Sequence, residues 1–212
     1  GEDGYAGMAI SNLQVDGKDA TLSEYSTLAR IDLDGEVASG EVVTITMDWE
    51  FPVSIDASLR MGYDDAYEQG PVWEFAQWIP VPCVYDDVYG WNTLPYIGRG
   101  EFYTNFGDYT VAITVPNDHL VFGSGELSNP DEVLSVDERE RLAESMESDD
   151  VIKVRSADEV GTVQGDEFST WKFEGKNIRT FAWATSASYI WDAASVEIVD
   201  LDGKVRRVLC QA

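Results

Sequence analysis

Apolar and polar positions alternate with a period of two over much of the chain, and that spacing predicts strands with one buried face. Residues 5 to 15 (YAGMAISNLQV) alternate loosely and run into Asp16-Gly17, a pair that favours a two-residue hairpin turn. Residues 28 to 33 (LARIDL) and 41 to 51 (EVVTITMDWEF) alternate more strictly, with Gly35 and Gly40 punctuating the link. The pattern dissolves between Pro52 and Gly70, which reads as a long polar loop. Residues 107 to 115 (GDYTVAITV) predict a strong strand, closed by Pro116-Asn117-Asp118, with 119 to 127 as its hairpin partner. Strand character returns at 170 to 173 and 179 to 186. A final hairpin is predicted from 196–199 and 204–209 around Asp200-Leu201-Asp202-Gly203.

One passage breaks the period of two. Ser128-Asn129-Pro130-Asp131-Glu132 combines a capping residue, a first-turn proline and acids where a helix N-terminus favours negative charge. Residues 135 to 147 continue with good helix formers, dense in charge, so an outer solvated helix is expected; residues 148 to 166 follow as a polar insertion. With no repeat and no linker, the pattern predicts one all-β domain over residues 1–212. It would be a twisted, mostly antiparallel, saddle-like sheet or sandwich with one peripheral helix and a helical and polar insertion at about 128–166.

The densest departure from alternation is aromatic. Residues 73 to 106 hold ten aromatic side chains in 34 positions, interleaved with Pro80, Pro82 and Pro95, against 12% for the whole chain. Such side chains bury large areas, and Tyr and Trp keep a polar tip that needs a partner. The segment reads as a packed wall beside a cleft, with Asp86 and Asp87 in its middle.

Charge narrows the partners. Forty acidic residues against 14 basic ones give a net charge of −26, which disfavours nucleic acid, because phosphate contacts need Lys and Arg. The acids are dispersed rather than gathered in a tail, a pattern that fits a hydrated, salt-adapted surface from a marine or halophilic source; calcium binding is the weaker alternative, since acidic clusters occur but no loop has calcium-ligand spacing. No run reaches the roughly 18 apolar residues of a membrane helix, and residues 1 to 25 lack the basic start and apolar centre of a signal peptide. Cys83 and Cys210 could be joined or free. His119 alone cannot build a multi-histidine metal site.

Much familiar chemistry is missing from the sequence. There is no Gly-rich phosphate loop, no HExxH and no Cys or His cluster. The pairs Asp64-Asp65, Asp86-Asp87 and Asp149-Asp150 suggest a glycosidase, but neighbours on a strand point to opposite faces and cannot flank one bond. Gly123-Ser124-Gly125 lacks the G-x-S-x-G spacing, and a triad there would have to recruit His119. A binding module is the other class: Trp78, Tyr85, Tyr89 and Trp91 could form a platform for sugar rings, although the interleaved Pro and aliphatic residues favour a packed wall.

With AQWIPVPCVYDDVYGWNTLPYIGRGEFYTNFGDYTVAITVPNDHLVFGSGEL as its most telling stretch, the chain resembles, in order from the hairpin that begins at Tyr5 to the C-terminus, the amino-terminal β-domain of zinc aminopeptidases of the aminopeptidase N and leukotriene hydrolase type. It is most similar to a bacterial branch with AQWYP-like, YDD-GWN-DPY, GEFY and SGEL-NP segments. TWKFEGKNIRTFAWATSASYIWDAA, residues 170 to 194, resembles the segment that ends that domain. The likeness is most specific over 73–130 and 170–194.

The resemblance implies a non-catalytic domain that forms one wall of a substrate cleft and packs on a downstream zinc-binding catalytic domain. No cofactor is implied in this chain, and the zinc, its ligands and the general base would lie in that second domain. The family β-domain contributes a Gln to the cleft beside the amino terminus of a peptide substrate. Gln77 is the matching position, as substrate contact or as a structural hydrogen-bond former. The flanking family positions are Ala76 and Ile79 here, so the match is partial. Asp86 and Asp87 match no catalytic role and are expected to order their loop by accepting backbone N–H bonds. Relatives of this pattern are commonly exported, which favours the periplasm or the exterior. Family domains carry further strands before residue 5, so an open sheet edge and self-association are expected. The alternative is a stand-alone β-sandwich module of a secreted protein that binds carbohydrate or another ligand.

Overall fold

The computed structural model describes residues 7–55, 60–68, 70–96, 103–161 and 167–212. The first strands are β1 (Ala9–Val15), β2 (Lys18–Asp19), β3 (Leu22–Tyr25), β4 (Leu28–Ile31), β5 (Ile45–Glu50), β6 (Met61–Asp64) and β7 (Val72–Phe75). Then come β8 (Tyr85–Asp86), β9 (Gly90–Trp91), β10 (Gly107–Pro116), β11 (Leu120–Gly123) and β12 (Glu126–Leu127). Two helices follow, α1 (Pro130–Val133) and α2 (Val136–Ser145). The chain closes with β13 (Ile152–Arg155), β14 (Phe168–Ile178), β15 (Trp183–Ser186), β16 (Trp191–Val199) and β17 (Val205–Gln211). All described strand pairs are antiparallel. The protein is all-β with small peripheral helices.

The chain divides into two compact units, residues 1–54 with 80–105, and residues 55–79 with 106–212. The first holds the sheet β2-β1-β5 and the hairpins β3–β4 and β8–β9. Asp16 and Gly17 turn β1 into β2 with φ of 48° and 76°, the left-handed pair that a type I′ turn requires. The second unit holds the sheets β10-β14-β12, β11-β15-β7-β6 and β13-β16-β17. Its core gathers Ile113, Val115, Leu120, Trp171, Phe173, Phe181 and Trp191 from all three.

Several predicted elements stand, and others change for identifiable reasons. Residues 119–127 are not the hairpin partner of the strand before them. β10 pairs with β14, and β11 crosses to pair with β15. Leu120 and Val121 are both buried although adjacent, so β11 is covered on both faces and sits in a second sheet over the same core. The region read as a long loop contains β6, and the polar insertion contains β13. The single predicted helix is two, because Ser135 starts α2 afresh with a reciprocal capping box to Glu138.

Glu138 also explains β13. Its side chain accepts from Ser135 and pairs with Arg155 at 2.7 Å, with both side chains about nine-tenths buried. Arg155 thus ends, without being orphaned, a strand whose last two residues are buried. Elsewhere Gly125 has φ +96°, and a Cβ there would lie 2.5 Å from the Glu174 carbonyl oxygen. Only glycine admits the close approach of this turn to β14.

Candidate functional site

Gln77 is the second residue after a well-fixed strand, β7 (Val72–Phe75). β7 is central in its sheet, flanked by β15 through Trp183↔Phe75 and Ala184↔Glu74, and by β6 through Met61↔Phe75 and Gly62↔Glu74. The chain bends as β7 ends, at Ala76 and Gln77. Both neighbours of Gln77 are held. Ala76 donates its N–H to the Arg60 carbonyl at 3.0 Å. The Trp78 indole N–H reaches the Phe181 carbonyl at 2.8 Å. Trp183 stacks on Phe75 at 4.1 Å and meets Trp78 edge-on at 5.9 Å. The Gln77 side chain is exposed, and no described group hydrogen-bonds to its amide.

A shallow depression adjoins this bend. It is lined by Arg60, Glu74, Phe122, Ser124 and Trp183 together with small residues that include Ala76. Glu74 faces the same row as Phe122 and Ala184 across the sheet. Burial, and after it the charge of Glu74, pushes the Tyr189 phenol up to about 12. Arg60 has φ 75°, a left-handed backbone that non-glycine residues adopt at a cost. Neither Arg60 nor Glu74 was marked by sequence spacing, since a loop arginine and an exposed strand glutamate carry no periodic signal.

The other sequence candidates fall in different places. Asp86 accepts from the N–H groups of Tyr89 at 2.7 Å and Val88 at 2.9 Å, with the Tyr103 hydroxyl at 3.4 Å. These bonds, Tyr89 first, hold its carboxyl below the usual range. Asp86 orders the loop as expected. Asp87 is exposed and accepts no described hydrogen bond. Asp64 caps a turn through the Ala66 N–H, and Asp149 pairs with Arg207 at 2.5 Å, so no aspartate pair forms two carboxylates facing one bond. Ser124 exchanges bonds with Ala182, whereas His119 meets Thr185 at 3.1 Å, so they do not assemble as nucleophile and base. Cys83 and Cys210 are free thiols.

The aromatic segment is only partly packed. Trp78 is half-buried, but Tyr85, Tyr89 and Trp91 are 63%, 87% and 60% exposed. They are not packed as a covered wall. β8 and β9 are two residues each, and a hairpin that short cannot hide three large rings. Trp78 and the hairpin also belong to different compact units. Among the described residues no three His, Cys, Asp or Glu side chains gather as a metal site, and no helix is long and apolar enough to cross a membrane.

Set against family models, curated proteins and solved structures, the chain matches none. What the fold defines is a class: an all-β protein whose described residues form antiparallel sheets and two short helices.

Proposed function

We propose that this chain is the non-catalytic β-domain of a zinc metallopeptidase of the aminopeptidase type, presenting Gln77 to the amino-terminal residue of a peptide. The supporting observation is the fixed bend at Gln77, with Ala76 and Trp78 hydrogen-bonded on either side and the amide itself unengaged. The Trp78 bond to Phe181 also ties together the two segments that carry the resemblance, as do the β7–β15 and β10–β14 pairings. An amide held this way can donate and accept at once along a peptide edge.

The residues described here do not fit a zinc ion, so no chemical step is assigned to them. In this reading a zinc ion would be held by residues of a separate, downstream domain and would supply Lewis-acid chemistry there, while this chain's Gln77 would only position the peptide. Tyr85, Val88, Tyr89, Trp91 and Leu94 are each exposed, with Tyr85 and Trp91 in edge-on contact, and would offer apolar side chains to that domain. The acidic, dispersed surface accords with a salt-adapted, exported parent.

The parent gene is therefore expected to continue into an HExxH helix and a further Glu ligand. In that parent, Gln77→Ala is expected to lower kcat/KM for aminoacyl substrates about tenfold, the scale of one lost hydrogen bond. The chain alone should hydrolyse nothing, with or without zinc. Unchanged kcat/KM in Gln77→Ala would remove the assigned role.

A second reading rests on the same hairpin. Tyr85, Tyr89 and Trp91 are exposed enough to stack on sugar rings, as a carbohydrate-binding module would use them. Retention of this chain on immobilised glycans, lost in Tyr89→Ala, would favour that reading over the peptidase one.

A further inference from the structure

β10 is the longest edge strand described. Ten residues, Gly107–Pro116, pair with β14 on one side, and no described strand or backbone group bonds to the other. Its side chains alternate sharply. Ile113 and Val115 are buried, with Tyr109 and Val111 half-buried on the same face, while Thr110, Ala112 and Thr114 are exposed. Long regular edges offer unpaired N–H and C=O groups to another strand, and proteins usually blunt them with charge. The span from Tyr109 to Val115 carries no charged residue in a chain of net charge −26.

The other edges lack these properties. β17 carries Arg206 and Arg207, β6 ends in Asp64, and β11 has four residues. On so acidic a molecule, an edge that meets its own copy must avoid setting carboxylates against each other. β10 does so.

We propose that the free edge of β10 pairs antiparallel with β10 of a second copy about a two-fold axis at Ala112, an association that salt promotes. The register is self-complementary. Tyr109 falls opposite Val115 and Val111 opposite Ile113, so the apolar face continues across the junction. Thr110 falls opposite Thr114, extending the hydroxyl contact that Thr114 already makes with Thr170 at 2.9 Å. Asp108, the strand's one acid, falls opposite Pro116 and so at the far end from its own copy. Each contact occurs twice, as an isologous interface requires. The sheet becomes β12-β14-β10 joined to a second β10-β14-β12.

Repulsion between two chains of −26 opposes this pairing at low salt. The Debye length falls from about 10 Å at 0.1 M to about 3 Å at 1 M, which removes most of that opposition.

Sedimentation equilibrium at about 0.05 M and about 1 M NaCl tests it. A monomer at low salt and a dimer at high salt are expected, with the dissociation constant falling at least tenfold. Ala112→Lys sets two ammonium groups at the axis and should abolish the dimer. Val199→Lys makes the same charge change on the exposed face of β16 and should leave it intact. Register is read by cysteine pairing in a Cys83→Ser, Cys210→Ser background. Ala112→Cys should form a disulfide-linked dimer under mild oxidation several-fold faster than Thr110→Cys. A monomer at both salt concentrations, equal behaviour of the two lysine variants, or equal cross-linking of the two cysteine variants would overturn the proposal.

Discussion

His119 shows how much one side chain's surroundings decide. It is the chain's only histidine, half-buried, with Nδ1 against the Thr185 hydroxyl, which itself donates to the Leu120 carbonyl. Burial lowers its pKa below the ordinary histidine value, and Asp118 pulls only weakly the other way. The folded pKa lies under the unfolded one, so below about pH 6.5 the unfolded chain holds more protons. The stability due to this group is complete above that pH and is lost as pH falls through the folded value. Urea midpoints measured between about pH 7.5 and 5.5 should fall, and His119→Gln should flatten that part of the curve. Sequence alone placed His119 between two strands; its partner Thr185, 66 positions away, was invisible because β11 and β15 meet only in three dimensions.

At the scale of elements, α2 and β13 are one construction. Glu138 satisfies the Ser135 backbone and hydroxyl with one oxygen and Arg155 with the other, and both charges are buried. Removing one partner strands the other without water. Glu138→Ala is expected to cost about 3–5 kcal/mol, whereas Glu138→Met with Arg155→Leu should recover most of that loss, as chemical denaturation would show. The start of a helix near Ser128 was legible from its proline and acids, and the turns at Asp16-Gly17 and Gly203 from their residue types. β13 was not legible. Ile152-Lys153-Val154-Arg155 looks like part of a polar run until Glu138, 17 positions earlier, neutralises the arginine. The partner of β10 was hidden for a related reason: alternation tells which face is buried but not which strand lies alongside.

For the whole molecule, charge sets the conditions under which the fold is stable. Ion pairs exist, among them Arg141–Glu159 at 2.6 Å and Arg206–Asp200 at 2.9 Å, but 14 basic residues cannot match 40 acids. Screening therefore relieves more repulsion than it removes attraction. The urea midpoint of the monomeric Ala112→Lys variant should rise with NaCl, most steeply below about 0.3 M; a flat or falling midpoint would show that the paired charges dominate. The all-β class with a peripheral helical passage was within reach of the sequence, because alternation and first-turn helix signals are local. The division into two units was not, since neither composition nor spacing marks residues 55 or 80 as boundaries.

That division has a consequence in time. β6 and β7 are made early, yet Phe75 finds its stacking partner only when Trp183 appears, about 110 residues later. At roughly 5–20 residues per second on a ribosome, Met61 and Phe75 wait on the order of 5 to 20 seconds for cover. Truncations anywhere before β15 should therefore leave a sticky half-sheet, and the nascent chain, more than the finished protein, is the species most in need of a chaperone.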